Sequence, residues 1–241
     1  MTAIVVIAKE CVPGRVKTRL HPALSYEQAA ALAAASLDDT LAAALALPAT
    51  RRILAFDGVV PPVTAAAFEI LPQVSGGLDE RLAAVFDSIE EPVLLVGMDT
   101  PQLTATLLEP VFSDWDDATD AWFGPTRDGG FWALALGNPQ PGVSRGNLIR
   151  RVPMSRNDTG ARQLARLRNA GLRVRQLPLL TDVDTIADAD AVARIAPRSR
   201  FASALRAMRT GGTDATGFTT GKGHLQLPTG RANSHGRCNV G

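Results

Sequence analysis

The sequence of 241 residues has little cysteine and almost no net charge, and each shortage excludes a class of protein. Only two cysteines occur, Cys11 and Cys238, near opposite ends of the chain. They cannot form a disulfide framework, so a reducing, cytoplasmic environment is expected. The formal net charge is +1, which gives no field for attracting nucleic acid or an anionic membrane. We therefore expect no nucleic-acid partner.

Long apolar runs are also missing. The Ala-rich stretch 28–47 is interrupted by Ser36, Asp38 and Asp39, which would be costly in hydrocarbon. The opening run 3–8 is only as long as a strand and lacks the basic residues that precede a signal sequence. The sequence therefore predicts no membrane span and no signal peptide.

Apolar runs do alternate with helical patterns along the chain. The β-branched run 3–8 is typical of a strand buried on both faces of a parallel sheet. Further strands are predicted at 52–56, 92–97, 122–125, 131–136 and 172–177, and helices at about 25–47, 78–88, 158–170 and 186–195. Such alternation indicates βαβ units and an α/β fold with a mainly parallel sheet.

The composition changes near the end of the chain. From Arg198 onward there are seven Lys and Arg residues against one Asp, and apolar residues become scarce after Arg209. Such a segment buries too little surface to offset its ordering entropy. We predict one domain over 1–197, a short helical extension over 198–209 and a disordered tail over 210–241.

A basic loop follows the first strand. A polyphosphate requires exposed backbone N–H groups, a lysine point charge and an arginine fork, and ligands of open α/β sheets bind at the ends of such strands. The alternative is a solvated basic turn. The predicted nucleotide- and phosphate-binding residues of this loop are Ala8, Lys9, Gly14, Arg15, Lys17, Thr18 and Arg19.

A single acid, Asp99, follows the apolar run 92–97. Its carboxylate is a hard oxygen ligand of the kind that Mg²⁺ or Mn²⁺ prefers. The alternative is an Asx turn before Pro101.

Two other segments combine acids with glycine or a helix start. Asp128-Gly129-Gly130 separates two strand-like runs, and its glycines permit close approach to a ligand, although Asp-Gly is also a strong hairpin signal. Asp184 stands before the last helix, where it would complete a metal site or serve as part of an N-cap. Gly77 begins either a loop over a nucleobase or simply a helix.

Together these motifs resemble the bacterial glycosyltransferase-A-like proteins related to 2-phospho-L-lactate guanylyltransferase. The resemblance covers about 2–195. It rests on Ala8-Lys9 with 13–20, on 37–40, on 97–101, on Gly124-Pro125 with 128–131, and on 182–185, in this order.

The resemblance implies the nucleotide-diphospho-sugar transferase fold, a three-layer α/β/α sandwich with a mixed, mostly parallel sheet. It implies that Lys17 and Arg19 contact phosphates and that Asp99, with Asp184, binds Mg²⁺ or Mn²⁺. Asp128 would then be a base or an acceptor clamp, with Gly129 and Gly130 on the acceptor side.

The predicted function is a metal-dependent transfer from a nucleoside triphosphate or a nucleotide sugar to a small-molecule acceptor. Lys17, Asp99 and Asp128 are the predicted catalytic residues. Glycosyl and nucleotidyl transfer both fit these residues. The alternative is a nucleotide-binding or scaffold protein that has kept the fold without turnover. The sequence does not determine the oligomeric state.

Overall fold

The computed structural model describes residues 2–115, 119–138 and 144–210. Within them, seven strands form one sheet in the order β3-β2-β1-β4-β6-β5-β7. The strands are β1 Ala3–Lys9, β2 Arg52–Asp57, β3 Glu69–Pro72, β4 Val93–Gly97, β5 Ala121–Pro125, β6 Phe131–Leu136 and β7 Val174–Gln176. All run parallel except β6, which is antiparallel to both of its neighbours.

Helices cover both faces of the sheet. Successive residues of a strand point to opposite sides, so a continuous apolar run such as β1 makes both faces apolar. In β1, Ile4 and Val6 belong to the apolar core beneath α1, whereas Val5 belongs to the core beneath α2. The helices are α1 Tyr26–Leu45, α2 Leu78–Asp87, α3 Ala105–Ser113, α4 Thr159–Asn169, α5 Ile186–Ile195 and α6 Arg200–Thr210. None of the helices in the described ranges is long and apolar enough to cross a membrane.

Two elements carry no clear signal in the sequence. The strand β3 has four residues and lies at the edge of the sheet with much of its surface exposed, so no regular apolar pattern marks it. The helix α3 contains Pro110, a residue that normally interrupts helices because it lacks an N–H donor. Thr104 nevertheless caps α3 by accepting a hydrogen bond from the Leu107 N–H.

The segment after α5 forms a helix that is attached to the main body. The Asp39 carboxylate, on α1, accepts hydrogen bonds from the backbone N–H groups of Arg200 (3.0 Å) and Phe201 (2.9 Å) at the start of α6. A carboxylate stabilises the N-terminus of a helix by pairing with its free N–H groups. This contact gives Asp39 a structural role. Residues 211–241, which include most of the predicted disordered tail, lie outside the described residues.

Candidate active site

A cavity of about 730 Å³ lies at the carboxyl ends of β1 and β4, and a smaller one of about 160 Å³ adjoins it. The two strands are parallel neighbours, with Ile7 beside Gly97, so the loops that follow them start side by side. The residues that line both cavities are Lys9, Arg19, Met98, Asp99 and Asp184, whereas Lys17 lines only the smaller one. The basic loop and the later acids therefore share one edge of the sheet.

The side chain of Lys17 lies between two of the predicted acids. Its Nζ is 2.9 Å from Asp99 Oδ1 and 3.3 Å from Asp184 Oδ1, and the side chain is only 10% exposed. Burial acts to lower the pKa of Lys17, but the two carboxylates outweigh it and raise the pKa above its ordinary value. Arg19 Nη1 adds a second cation at 3.0 Å from Asp184 Oδ2. The ammonium of Lys17 is therefore kept charged and held in place.

Hydrogen bonds between segments far apart in the sequence bring Asp184 next to Lys17. The segment before α5 is tied to the end of β4, since the Val183 N–H donates to the Asp99 carbonyl at 3.1 Å and the Gln102 side chain donates to the Thr181 carbonyl. Thr185, rather than Asp184, caps α5. The carboxylate of Asp184 is therefore available to Lys17 and Arg19.

Three carboxylates face one another in the larger cavity. Single oxygen atoms of Asp128, Asp182 and Asp184 all lie within 4.8 Å of one another. Burial, followed by the charge of Asp128, raises the pKa of Asp182 to about 6. Asp99 is not a member of this group and meets Asp184 through the shared ammonium of Lys17. The sequence prediction of the site did not include Asp182, although the Asp-x-Asp spacing of 182–184 was a usable signal.

The turn between β5 and β6 is a hairpin that also contributes to the cavity. One Asp128 oxygen accepts hydrogen bonds from the Thr126 hydroxyl and the Gly130 N–H, and both Asp128 and Gly130 line the cavity. Gly129 has φ +90°, and a Cβ there would lie 1.8 Å from the Asn157 carbonyl oxygen. Gly129 is thus required for close packing against the chain at Asn157, so a structural reason for this glycine exists beside the predicted acceptor role.

The other predicted residues of the basic loop occupy different positions. Ala8 lines the larger cavity and Thr18 the smaller one. Gly14 and Arg15 are exposed and line neither cavity. Gly77 is the N-cap residue of α2 and also lies outside both linings, although its neighbour Leu78 is part of the larger one. The roles assigned to these residues stay predictions.

Two polar residues of the cavity, Gln73 and Arg81, were not predicted as site residues, although Arg81 ends the segment 76–81 that contains Gly77 and is a candidate loop over a nucleobase. The Gln73 carboxamide donates to the carbonyls of Ala8 (2.8 Å) and Ala55 (2.9 Å), which joins the ends of β1 and β2. Arg81 Nη1 donates to Gln73 Oε1 and to Asp57 Oδ2, both at 3.1 Å. The segment 154–157 also lines the cavity. Only folding brings these elements together, so neither Gln73 nor the segment 154–157 carried a local signal in the sequence.

Two side chains carry atoms of the kind that act as nucleophiles, the Cys11 thiol and the Ser144 hydroxyl. Burial raises the pKa of the Cys11 thiol to about 11, with Asp99 adding to the effect, so the thiol is protonated at neutral pH. The spacing Gly-x-Ser-x-Gly occurs at 142–146, a pattern of serine nucleophiles. However, the Ser144 hydroxyl donates to Asp87 at 2.8 Å and accepts from the Asn147 N–H at the start of a short 3-10 helix. Ser144 is therefore bonded to a carboxylate and not to a histidine base.

The sequence of residues 29–156 matches the model of a family described as "Uncharacterized protein conserved in bacteria (DUF2064)". Because the match spans more than half of the chain, this chain belongs to that family. A search of the curated proteins gives no match.

Solved structures confirm the fold. A protein from Desulfovibrio desulfuricans G20, provisionally named a nucleotide-diphospho-sugar transferase, superposes with a TM-score of 0.72 and 25% identity, over 87% of this chain and 97% of that chain. A cytidylyltransferase from Leptospira borgpetersenii serovar Hardjo-bovis gives a TM-score of 0.48 and 9% identity, over 90% and 98%. A manganese complex from Mycobacterium tuberculosis H37Rv gives 0.45 and 18%, over 79% and 96%. The first likeness confirms the predicted three-layer α/β fold; the other two are too distant to support an argument.

Proposed function

We propose that this member of the DUF2064 family is a divalent-metal-dependent transferase that acts on a nucleotide substrate. The observation that carries the proposal is the contact of Lys17 with Asp99 (2.9 Å) and Asp184 (3.3 Å) at the junction of two cavities. Cations and carboxylates in contact at a strand end suit a metal-bound polyphosphate. The name of the Desulfovibrio structure supports a transferase at this coarse level.

The acids of the site fit a divalent cation. The oxygens of Asp128, Asp182 and Asp184 lie within 4.8 Å of one another and form the all-oxygen donor set that Mg²⁺ and Mn²⁺ prefer. The family resemblance of the sequence instead implies that Asp184 and Asp99 bind the metal together, and Asp184 is common to both sets. A bound Mg²⁺ or Mn²⁺ supplies positive charge that offsets the charge developing on phosphate oxygens.

The chain itself supplies fixed cations for the phosphates. Lys9, Lys17 and Arg19 line the smaller cavity of about 160 Å³, and fixed positive charge stabilises negative charge that builds up in a transition state. We assign this cavity to the leaving pyrophosphate of a nucleoside triphosphate. The acceptor then attacks the α-phosphorus, the bond to the β-phosphate oxygen breaks, and the nucleotidyl group moves to the acceptor. Asp128 lines the larger cavity, and where Asp99 and Asp184 hold the metal we assign Asp128 to the acceptor as a base or a clamp.

Glycosyl transfer is the second candidate. The larger cavity, of about 730 Å³, extends beyond the acids to Trp132 and to the segment 154–157, which leaves room for a sugar. In that reaction the acceptor attacks the anomeric carbon of a nucleotide sugar, and a nucleoside diphosphate leaves. The Desulfovibrio protein is provisionally named for this substrate class.

Thermal-shift measurements with nucleoside triphosphates and nucleotide sugars, each with and without Mn²⁺, test the proposal. A ligand that binds the native state raises the melting temperature by mass action. We expect a shift that requires both nucleotide and metal, and pyrophosphate release when acceptors are added. A shift that ignores Mn²⁺, with no product from any nucleotide, would instead favour an inactive nucleotide-binding or scaffold protein.

The two carboxylate sets can be separated by Mn²⁺ titration of variants. Asp184→Asn should weaken Mn²⁺ binding under either assignment. Asp99→Asn should weaken it if Asp99 and Asp184 hold the metal, and Asp182→Asn should weaken it if Asp128, Asp182 and Asp184 do. Asp190→Asn is a matched control, because Asp190 lies on α5 and pairs with Arg209 at 2.7 Å, away from the cavities. Unchanged Mn²⁺ affinity in the Asp184 variant would contradict both assignments.

A further inference from the structure

The polar pair Gln73 and Arg81 has no part in phosphate or metal binding as proposed above. We infer that Arg81, positioned by Gln73 and Asp57, recognises the base of the nucleotide, and that this base carries a carbonyl group. The inference rests on the proposed function, since it names the base that the same cavity accepts.

The position of the pair in the cavity supports this role. Ala8 and Lys9 are consecutive residues, and Lys9 belongs to the phosphate end while Ala8 adjoins Gln73. A base therefore extends from the phosphates along the end of β1 toward Gln73 and Arg81. The wall of this part is apolar, as a stacking heterocycle requires, and consists of Ile7, Leu78, Leu82 and Leu95. The rest of the lining, which includes Asp128 and 155–157, is left for the acceptor.

The hydrogen bonds of Gln73 and Arg81 show which of their donors already have an acceptor within the protein. Both donors of the Gln73 carboxamide are used by the Ala8 and Ala55 carbonyls, so its oxygen faces Arg81. Arg81 Nη1 is shared between Gln73 and Asp57, whereas its buried Nε has no hydrogen-bond partner in the part of the chain that the structure describes. An arginine has donors only, and a buried donor without an acceptor is unfavourable. The Arg81 side chain is 27% exposed and lines the larger cavity, so its guanidinium can donate to an acceptor of the ligand.

A carbonyl oxygen is the acceptor that best fits this requirement. Arginine donating to a carbonyl oxygen and its neighbouring acceptor is the commonest specific contact to guanine. Guanine, cytosine and uracil each carry a carbonyl oxygen. Adenine instead presents an amino group beside its ring-nitrogen acceptor, so one of the two arginine donors would face another donor. The structure therefore favours an oxo base and disfavours adenine. Asp57 and Gln73 act as positioning residues, because they hold the guanidinium and reach the ligand only through it.

The test compares nucleotide binding with binding of the phosphate chain alone. Dissociation constants are measured with Mn²⁺ for ATP, GTP, CTP, UTP and inorganic tripolyphosphate, on the wild type, Arg81→Met and Arg81→Lys. Arg168→Met is the matched control, because Arg168 is exposed on α4 and lies outside the cavity lining. Circular dichroism and melting temperature check that each variant is folded.

We expect the wild type to bind at least one oxo-base nucleotide about tenfold more tightly than ATP. Arg81→Met should reduce that preference to about twofold while changing tripolyphosphate affinity by less than twofold. Arg81→Lys should recover little, since a lysine lacks the planar fork.

Three results would overturn the inference. They are a preference for ATP, a base preference that survives in Arg81→Met, and an equal loss of affinity for tripolyphosphate and nucleotides in that variant. If the wild type binds nucleotides but its preference survives in Arg81→Met, the base assignment fails while the proposed function stands. If no nucleotide or tripolyphosphate binds the wild type, the proposed function fails as well.

Discussion

Two clusters of charged side chains in this molecule differ in their balance of donors and acids. In one, several donors surround a single carboxylate; in the other, several carboxylates surround a single buried cation. In the first, on α2, the Asp87 carboxylate accepts hydrogen bonds from the Ser144 hydroxyl (2.8 Å), the Gly146 N–H (2.8 Å) and Arg150 Nη2 (2.7 Å). Burial acts to raise the pKa of Asp87, but these hydrogen bonds outweigh it and the pKa lies below its ordinary value. We call this set the α2 network.

The second cluster, at the sheet edge, concentrates acids around one buried cation. Lys17 forms ion pairs with both Asp99 and Asp184. The pKa of the neighbouring Asp182 is raised to about 6, chiefly by burial and the charge of Asp128. The ionised carboxylate is thus favoured at Asp87 in the α2 network and disfavoured at Asp182 near the sheet edge. The comparison teaches that an acid with enough donors stabilises the fold, whereas acids with too few donors suit an external cation.

Asp99→Asn should have the largest effect of the substitutions that test this contrast. Replacing the carboxylate removes a charge at the proposed phosphate and metal site, so we expect about a 100-fold or greater loss of turnover. The melting temperature should change by only a few degrees, because the side chain is 45% exposed. Steady-state kinetics and thermal melting measure the two effects. Turnover within a few-fold of wild type would contradict the assignment of Asp99.

Lys17→Ala should weaken nucleotide binding by about ten- to a hundredfold, since a hydrogen bond from a charged group contributes about 1.5–3 kcal/mol. Isothermal titration calorimetry with a nucleoside triphosphate measures the change. Arg200→Ala is a control, because its side chain donates to the Asp38 carbonyl and lines neither cavity. An unchanged affinity in the Lys17 variant would show that the ammonium does not contact the phosphates.

Asp87→Asn should show the reverse pattern. An asparagine cannot accept all the hydrogen bonds that Ser144, Gly146 and Arg150 donate to the carboxylate. We expect the free energy of unfolding to fall by about 1–2 kcal/mol, with nucleotide affinity unchanged. Urea denaturation and calorimetry provide the two readings. A loss of nucleotide affinity without a loss of stability would remove the distinction between the clusters.

The smallest expected effect is the pH dependence of the stability difference between wild type and Asp87→Asn. Because the folded-state pKa of Asp87 lies below its ordinary value of 3.8, the unfolded chain binds the proton more readily. The stabilising contribution is therefore complete above the ordinary pKa and is lost as the pH falls through the folded-state pKa. Urea denaturation of wild type and Asp87→Asn from pH 7 to pH 3 should show curves that converge below about pH 4. A gap that stays constant over this range would exclude ionisation of Asp87 as the cause.

Several parts of the fold and site were predictable because their signals are local. The buried strands β1, β4 and β6 were marked by continuous apolar runs, and parallel pairing of β1 with β4 sets the basic loop beside Asp99. By contrast, β3 and α3 were missed, since short exposed strands and helices with an internal proline lack a periodic pattern.

The sequence by itself determined the α/β class, the basic loop after β1 and the acid after β4. Buried strands and the charged loops that follow them are recognised from residues that are neighbours in the chain. Only the tertiary structure decided that Lys17 lies between Asp99 and Asp184, that Asp182 joins Asp128, and that Arg81 borders the cavity. These contacts join segments far apart in the chain, and their distances depend on how the layers pack around the sheet rather than on any local pattern.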